Sequence, residues 1–371
     1  MTLIELGDDE IHSLTQFLDI VSVSRLERVA RRMHDLKLVL ELVNDLKLDR
    51  AKFVTSLSLV ARINVARPNQ ILRVANELSD IAAQEDDDDF RCELAHAGAV
   101  PAVCRAINRV GPKSAAAFNC AAALWNLTAN NVAMPNVDVV EQLITDGGVP
   151  PLVRLITDKL PSESERAAKF AAITLSNAMS MDARTSNEVI KSVEEAVRMA
   201  GGPLGLYPKL VSLLDTWAAE EDDIPALDGA RPASGLLWNL ASRSQQSSES
   251  IGDVSGCIKK LLGMLERDDG EMRINAAGIL CNLVYEGSNA IQVKEAPRAL
   301  EILRTCKADK TSRGHDASRE DADDKRTVAR FAKETLRNLK RHQVIAVDEE
   351  SASEEDPRMM KSFMIPVTHS S

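Results

Sequence analysis

The chain has 371 residues, a net charge of −11, 44% hydrophobic residues and only 3% aromatic residues. This acidic balance argues against a general nucleic-acid-binding protein, which needs a basic surface to neutralise phosphates. No apolar run reaches the roughly 18 residues that span a membrane, and no charged-then-apolar leader is visible. We therefore expect a cytoplasmic or nuclear protein without a membrane span and without a nucleic-acid partner.

Residues 1–50 are predicted to form a helical block that does not fit the pattern of the rest of the chain. Asp8 or Asp9 can cap a first helix, which ends at Phe17-Leu18-Asp19, and Ser22 or Ser24 can cap a second helix. The second helix carries the pair Arg31-Arg32. A helical block at this end could cover the exposed face that stacked repeats otherwise leave open.

Residues 3–36 of this block also resemble an F-box. Two departures weaken the match, because Gly7 stands where a Pro is usual and Met33 where an aromatic is usual. The resemblance implies docking of a Skp-type adaptor, which would make the remaining chain the substrate receptor of a ubiquitin ligase. The terminal-cap interpretation and the F-box interpretation both stay open from the sequence.

A repeated tetrapeptide, Leu-x-Asn-Leu, dominates the rest of the chain. Small residues precede each copy, so neighbouring helices can approach closely at this point. The pattern predicts one helix type that is used repeatedly. The four copies are Leu124-Trp125-Asn126-Leu127, Leu237-Trp238-Asn239-Leu240, Leu280-Cys281-Asn282-Leu283 and Leu336-Arg337-Asn338-Leu339.

Helical periodicity continues along the chain, and strand signals are nearly absent. Alignment of the helices on the Asn position recovers two degenerate copies, with steps of 43 to 62 residues between successive positions. The predicted helices are 69–84, 115–129, 165–181, 230–243, 271–286 and 326–341. The aligned positions are Asp80, Asn126, Asn177, Asn239, Asn282 and Asn338.

A glycine turn follows most of these helices and leads into another apolar helix. The clearest copy is Asp146-Gly147-Gly148-Val149-Pro150, where a Gly can end one helix in the left-handed conformation and Pro can enter the next. Together with the Ala-Ala-x-Leu-x-Asn-Leu helix, this turn closely resembles the armadillo repeat family. The resemblance implies an all-α fold, a right-handed α-solenoid of about six armadillo-type repeats over residues 51–342.

The same resemblance implies a role for the aligned asparagines. In armadillo proteins this column lines a concave groove, where each Asn amide bonds the backbone of an extended peptide. The corresponding residues here would be Asn126, Asn177, Asn239, Asn282 and Asn338. An Asn carboxamide both donates and accepts, so it can pair with any peptide unit. The alternative is that these side chains bond neighbouring repeats or cap turns.

Further groove residues follow from helical offset. Trp125 and Trp238 stand one residue before the Asn, as in the β-catenin and adenomatous-polyposis branch, and Asn130 and Arg243 stand four residues after it. The importin-α type places a Trp four residues before the Asn, and all six positions lack it here. The sequence therefore favours a non-enzymatic scaffold that binds an extended segment of a partner protein, and disfavours a transport or import receptor.

Signals for chemistry are absent from the sequence. The histidines and cysteines show no zinc or nucleophile spacing, and no phosphate-binding loop or nucleophile elbow is present. We expect no enzyme activity, no cofactor and no metal, and we expect the six cysteines to be reduced. Residues 343–371 are predicted to be a disordered acidic tail, in which Ser351 and Ser353 precede acidic residues and could be phosphorylated.

Overall fold

A computed structural model describes most of the region between residues 50 and 342. The predicted N-terminal block, including the F-box-like segment 3–36, and the predicted tail 343–371 lie outside the described residues, so both stay predictions. The described ranges are 50–83, 88–112, 114–129, 137–157, 162–180, 183–199, 205–215, 229–267, 269–285, 287, 289–308 and 319–342.

These residues form seventeen α-helices, and no strand occurs among them. The helices are α1 Arg50–Val65, α2 Pro68–Ala82, α3 Asp88–His96, α4 Ala99–Val110, α5 Ala115–Thr128, α6 Val137–Thr145, α7 Val149–Thr157, α8 Ser162–Met179, α9 Ala183–Met199, α10 Leu206–Leu213, α11 Ala230–Arg243, α12 Gln245–Gly252, α13 Cys257–Leu265, α14 Gly270–Tyr285, α15 Ala290–Glu295, α16 Ala299–Ala308 and α17 Arg319–Arg341. The all-α prediction is confirmed.

Two compact units are distinguished, residues 1–151 with 160–167, and residues 152–159 with 168–371. In the first unit, α2 packs against α5 and α1 packs against α4. In the second unit, α11, α14 and α17 pack side by side, and α13 packs against α16. Like helices thus stack on like helices within each unit. We call α2, α5, α8, α11, α14 and α17, which carry the aligned Asn column, the ladder helices.

The leucines on either side of each ladder asparagine form the core. Leu124 and Leu127 are 0% exposed, and the equivalent leucines of α11 and α14 are equally buried. Full burial of a leucine contributes roughly 1.5–3 kcal/mol. Ala and Gly in the preceding turn have small side chains, so the neighbouring helix can approach closely there. The Leu-x-Asn-Leu pattern therefore fixes which face of each ladder helix is buried.

Five of the six predicted ladder helices agree with the structure to within three residues at each end, and the sixth begins earlier than expected. The polar stretch 308–325 shows no helical periodicity in the sequence, yet α17 already begins at Arg319 within it. The helix dipole favours acidic residues near a helix N-terminus, so an acidic stretch suits a helix start as well as a loop. Asp88 is likewise the first residue of α3, within the acidic run 85–89.

The glycine turns have the predicted left-handed backbone. Gly98, Gly147 and Gly256 have φ between 69° and 84° at the start of the second helix of three repeats. In the last repeat no glycine is present, and Arg298 adopts φ 60° at the equivalent place. A non-glycine residue in this region costs free energy. The Arg298 side chain is exposed and pairs with Glu266 and Glu301.

In each unit, a cationic side chain of the following repeat donates hydrogen bonds to the last carbonyl groups of a helix. Arg109 of α4 donates to the carbonyl oxygens of Asn64 at 2.8 Å and Ala66 at 3.2 Å, and also to that of Ile63. Lys260 of α13 likewise donates to the carbonyl of Val211 at the end of α10, at 2.9 Å. The last carbonyls of a helix lack partners within the helix, and a cation there also complements the dipole.

We expect Arg109→Met to lower the free energy of unfolding by about 1–2 kcal/mol, because the terminal carbonyls of α1 lose their charged donor. Urea unfolding followed by circular dichroism measures this change. Arg105→Met is the matched control, since Arg105 reaches only the side-chain oxygen of Asn64. Equal effects of the two variants would contradict the capping role.

Candidate functional site

Four of the five ladder asparagines lie in the second unit, at the same place on successive helices. They are Asn177 on α8, Asn239 on α11, Asn282 on α14 and Asn338 on α17. Asn126 on α5 occupies this place in the first unit. The predicted column is therefore a structural feature within each unit.

Two of these asparagines bond the preceding repeat. Nδ2 of Asn126 donates to the carbonyl oxygen of Ser79 at 3.0 Å and approaches its hydroxyl at 3.1 Å. Nδ2 of Asn239 does the same to Ser176, at 3.3 Å and 3.2 Å. The alternative given by the sequence, a bond between neighbouring repeats, is therefore present at these two positions. The amide oxygens are not used in these bonds.

Asn282 and Asn338 differ from this pattern. The Asn282 side chain is half-buried and makes no hydrogen bond to the described residues. Asn338 is 2% exposed, and its Nδ2 is buried without a partner among the described residues. A buried donor without an acceptor costs about 1–3 kcal/mol. The Asn177 side chain likewise makes no hydrogen bond to the described residues, so the ladder contains three amides, Asn177, Asn282 and Asn338, that the described part of the fold does not engage.

Whether a ladder asparagine is bonded depends on one residue of the preceding repeat. This residue stands directly before that repeat's own ladder position. Ser79 and Ser176 offer a hydroxyl beside their carbonyl, and each captures the next Asn. Trp238 and Cys281 occupy that place before Asn282 and Asn338, and neither has a side-chain oxygen to offer. Burial raises the pKa of the Cys281 thiol to about 12, with a contribution from Glu334, so this side chain stays protonated and uncharged.

The Trp238 side chain fills the space above α14. Its residue is 8% exposed, and its ring meets Phe331 of α17 edge-on, with centroids 5.6 Å apart. A Cβ atom placed on Gly278 would lie 2.6 Å from Cε2 and Nε1 of this ring. Gly278 is the residue four before Asn282, where the importin-α type has its Trp. The glycine at this position is therefore what admits the indole of the preceding repeat.

The remaining predicted groove residues occupy varied places. Trp125 is half-buried, and Asn177 is 6% exposed. Arg243 is half-buried, with Nη1 3.5 Å from Oδ1 of Asn187. Asn130 lies outside the described residues. None of these observations tests binding, so the groove role of the whole set stays a prediction.

Comparison with known proteins identifies the architecture. The sequence matches no protein-family model and no curated protein. A designed armadillo repeat protein has a similar structure, with a TM-score of 0.53 and 21% identity over 76% of this chain and 99% of that chain. Another, in complex with the peptide (KR)4, has a TM-score of 0.51 and 20% identity over 76% and 98% of the two chains.

A chain from a structure on the phosphorylation-controlled interaction between cadherin and β-catenin gives a TM-score of 0.60 at 15% identity, over 79% of this chain and 53% of that chain. The fold is that of the armadillo repeat. The predicted all-α solenoid of armadillo-type repeats is thus confirmed. Identities this low establish the fold and nothing about ligands.

Sequence reasoning missed the serines that capture the armadillo asparagines. The signal was present, because the degenerate copies read Leu78-Ser79-Asp80 and Leu175-Ser176-Asn177, whereas three of the four perfect copies have Trp or Cys before the Asn. It also missed a second polar contact between repeats, in which Asn275 Nδ2 donates to Ser234 Oγ at 3.0 Å. All three contacts join adjacent ladder helices, and those of Asn239 and Asn275 are buried.

Other site classes find no support in the described part of the chain. No group of three or more His, Cys, Asp or Glu side chains that could hold a metal occurs there. Likewise, no helix described between residues 50 and 342 combines the length and the apolar character that a membrane crossing requires. The described cysteines with a resolved shift, Cys104, Cys120, Cys257 and Cys281, are buried free thiols whose pKa burial raises to about 12.

We expect Gly278→Ala to lower the free energy of unfolding by about 1–3 kcal/mol, because the new methyl group must displace the Trp238 ring. The tryptophan emission should shift at the same time. Gly263→Ala on α13 is the matched control, since no atom lies within 4 Å of a Cβ there. That change should be neutral or stabilise by about 0.5–1 kcal/mol. A destabilisation of similar size in both variants would contradict the packing role of Gly278.

The two kinds of ladder asparagine should differ in stability measurements. Asn239→Ala removes a buried bond to Ser176 and should cost about 1 kcal/mol, whereas Asn282→Ala removes no hydrogen bond within the described chain and should be nearly neutral. Denaturant midpoints of the two variants measure this difference. If Asn282→Ala were the more destabilising change, the division of the ladder into engaged and free amides would be wrong.

Proposed function

We propose that the protein is a non-enzymatic protein-binding scaffold that holds an extended segment of a partner protein along its ladder helices. The observation that carries the proposal is the pair of free amides on adjacent helices, Asn282 on α14 and Asn338 on α17. A peptide backbone offers a donor and an acceptor at every residue. The carboxamide of Asn282 can pair with both, whatever the side chains of the partner are.

The state of Asn338 supports the same proposal. Its Nδ2 has lost water and gained no acceptor within the described chain, which is unusual for a buried polar group. An acceptor supplied by a bound segment would remove this cost once the side chain turns toward it. Stability is in this way exchanged for a binding contact, as is common at functional positions.

The proteins of similar structure are consistent with this role. One designed armadillo repeat protein is in complex with a peptide, and the cadherin and β-catenin structure concerns an interaction between two proteins. We favour a scaffold over an import receptor for this chain, because Gly278 replaces the clamp Trp and its space is taken by Trp238.

A displayed library of random peptides, selected on the full chain, tests the proposal. Fluorescence polarisation then gives the affinity of the selected peptides for the wild type and for Asn282→Ala. Loss of a hydrogen bond to a peptide unit should weaken binding by about 5- to 10-fold. Asn108→Ala is the matched control, because Asn108 is an exposed asparagine on α4, away from the ladder helices.

The outcome separates binding from folding. Asn282→Ala is expected to keep the stability of the wild type, so weaker binding cannot be assigned to unfolding. Peptides that bind all three chains with equal affinity would show that the ladder amides are not the contact. Failure to select any peptide at a protein concentration well above micromolar would contradict the scaffold proposal itself.

Two further proposals rest on the sequence alone. Residues 3–36 would dock a Skp-type adaptor if the F-box resemblance is functional, and the ladder helices would then hold the substrate segment. The cytoplasm or the nucleus is the proposed location, because buried protonated thiols suit a reducing compartment. Neither proposal affects the test of the ladder amides.

A further inference from the structure

The first ladder helix differs from the other five at the ladder position itself. Asp80 stands there on α2, where α5, α8, α11, α14 and α17 have Asn, and its side chain is exposed. A carboxylate accepts hydrogen bonds and donates none, whereas a carboxamide does both. Asp80 therefore cannot pair with both polar groups of a peptide unit, and the role proposed for the ladder asparagines does not extend to it.

Two asparagines position the Asp80 carboxylate. Nδ2 of Asn76, one turn earlier on α2, donates to Oδ2 of Asp80 at 3.0 Å. On the neighbouring helix α5, Nδ2 of Asn119 lies 3.4 Å from Oδ1 of Asn76 and 3.4 Å from the carbonyl oxygen of Leu72. The carboxylate is thus held by side chains of both helices. It still has lone pairs for further donors, because a carboxylate has about four acceptor sites.

Among the described residues, no cation pairs with Asp80. The other carboxylate of α2 is already paired, since Glu77 accepts from both Nη atoms of Arg62, at 2.8 Å and 2.7 Å. Arg73 lies seven residues before Asp80, which is about 10 Å along the helix axis. Helix α5 carries no charged residue. Asp80 is therefore an exposed carboxylate without a counter-ion in the described fold.

The sequence after α2 adds negative charge to this end of the helix. Five carboxylates, residues 85–89, follow directly in the chain. Arg91 is a cation of the next helix, but it is 9% exposed and its Nε donates to the carbonyl oxygen of Ala82 at 3.0 Å. The exposed charges that follow Asp80 in sequence are therefore acidic.

The side chains of α5 beside Asp80 leave acceptors rather than donors. Asn126 is half-buried, and its Nδ2 donates to the carbonyl oxygen and to the hydroxyl of Ser79. The amide oxygens of Asn126 and Asn119 have no partner among the described residues. We call Asp80, Asn119 and Asn126 the acceptor patch. The patch offers three acceptor groups, and one of them is charged.

We propose that the acceptor patch binds a lysine or arginine side chain of the partner segment, and that Asp80 is the residue that selects for this cation. The inference rests on the scaffold function proposed above. An ammonium group has three donors and a guanidinium group has five, and neither accepts, so both complement a set of acceptors. The bond from such a cation to a carboxylate is charge-assisted, and it is stronger than a bond between neutral groups.

An acidic segment is disfavoured at the same place. It would bring further acceptors and a like charge to Asp80, and such mismatches give specificity by exclusion. The two units then differ in what their ladder helices recognise. In the second unit, the Asn282 amide can pair with the backbone of any segment, whereas Asp80 in the first unit recognises a side chain and thus a sequence.

Peptides selected on the full chain from the random library supply the probes. Each lysine of a selected peptide is replaced in turn by Nε-acetyllysine, and each arginine by citrulline, so that the charge is removed and the stem is kept. Fluorescence polarisation then gives the affinities for the wild type, for Asp80→Asn and for the control Asp146→Asn. Asp146 is a matched control because it is an exposed aspartate of the same unit that lies after α6, away from the ladder helices.

We expect one cation of the peptide to be coupled to Asp80. Its neutralisation should weaken binding to the wild type and to Asp146→Asn about five-fold, the upper range for an exposed ion pair. The same replacement should have little effect on Asp80→Asn, which already lacks the charge. Added salt should reduce the difference, because the contact is exposed. Asp80→Asn keeps an acceptor oxygen for Asn76, so its denaturant midpoint should match the wild type.

Two results would overturn the inference. Selected peptides might carry no more lysine and arginine than the library, or neutralisation might cost the same on the wild type and on Asp80→Asn; in either case Asp80 selects no cation. Failure of the scaffold proposal gives a different result. It appears as a selection without binders, or as equal affinities of the wild type and Asn282→Ala, and the second of these leaves the coupling to Asp80 measurable.

Discussion

Close packing between adjacent ladder helices is the constraint on which the other features of each unit depend. Two buried leucines hold each helix in place, and the small residues a turn earlier let the neighbouring helix approach. This contact fixes the rotation of every ladder helix about its axis. The Asn position is fixed with it, because it is only one residue from the second leucine. Core packing therefore places the amides of Asn282 and Asn338, and the residue before the ladder position in the preceding repeat decides whether they are engaged.

The same packing decides which asparagine side chains form hydrogen bonds within the fold. Where Ser precedes the ladder position, its carbonyl and hydroxyl take the amide of the next repeat, as Asn126 and Asn239 show. Where Trp or Cys stands there, the amide is left for another partner. Gly278 acts in a similar way, because the absence of a side chain there leaves room for Trp238 to contact Phe331 across α14. The residue type before the Asn thus separates the ladder asparagines that bond the preceding repeat from those that do not.

Polar contacts between repeats add to this packing within each unit. Arg109 and Lys260 donate to the last carbonyl groups of α1 and α10, and Asn126, Asn239 and Asn275 each donate to a serine of the preceding repeat. The ends of the shorter helices and the register of the ladder helices are thereby fixed by side chains of a neighbouring repeat.

The sequence by itself determined the fold class, the ladder helices and the buried leucines, because helical periodicity and local turn chemistry are written in short windows. It also located most helix ends, although it missed the start of α17, where acidic residues read equally well as a loop or as a helix N-terminus. Only the tertiary structure decided which asparagines are engaged, because the acceptors of Asn126 and Asn239 lie 47 and 63 residues away. The same holds for Trp238, whose place depends on Gly278 and Phe331 of two other helices. Contacts of that range depend on how repeats stack. The serines before Asp80 and Asn177 were a local signal, but only the stacking shows which amide each of them meets.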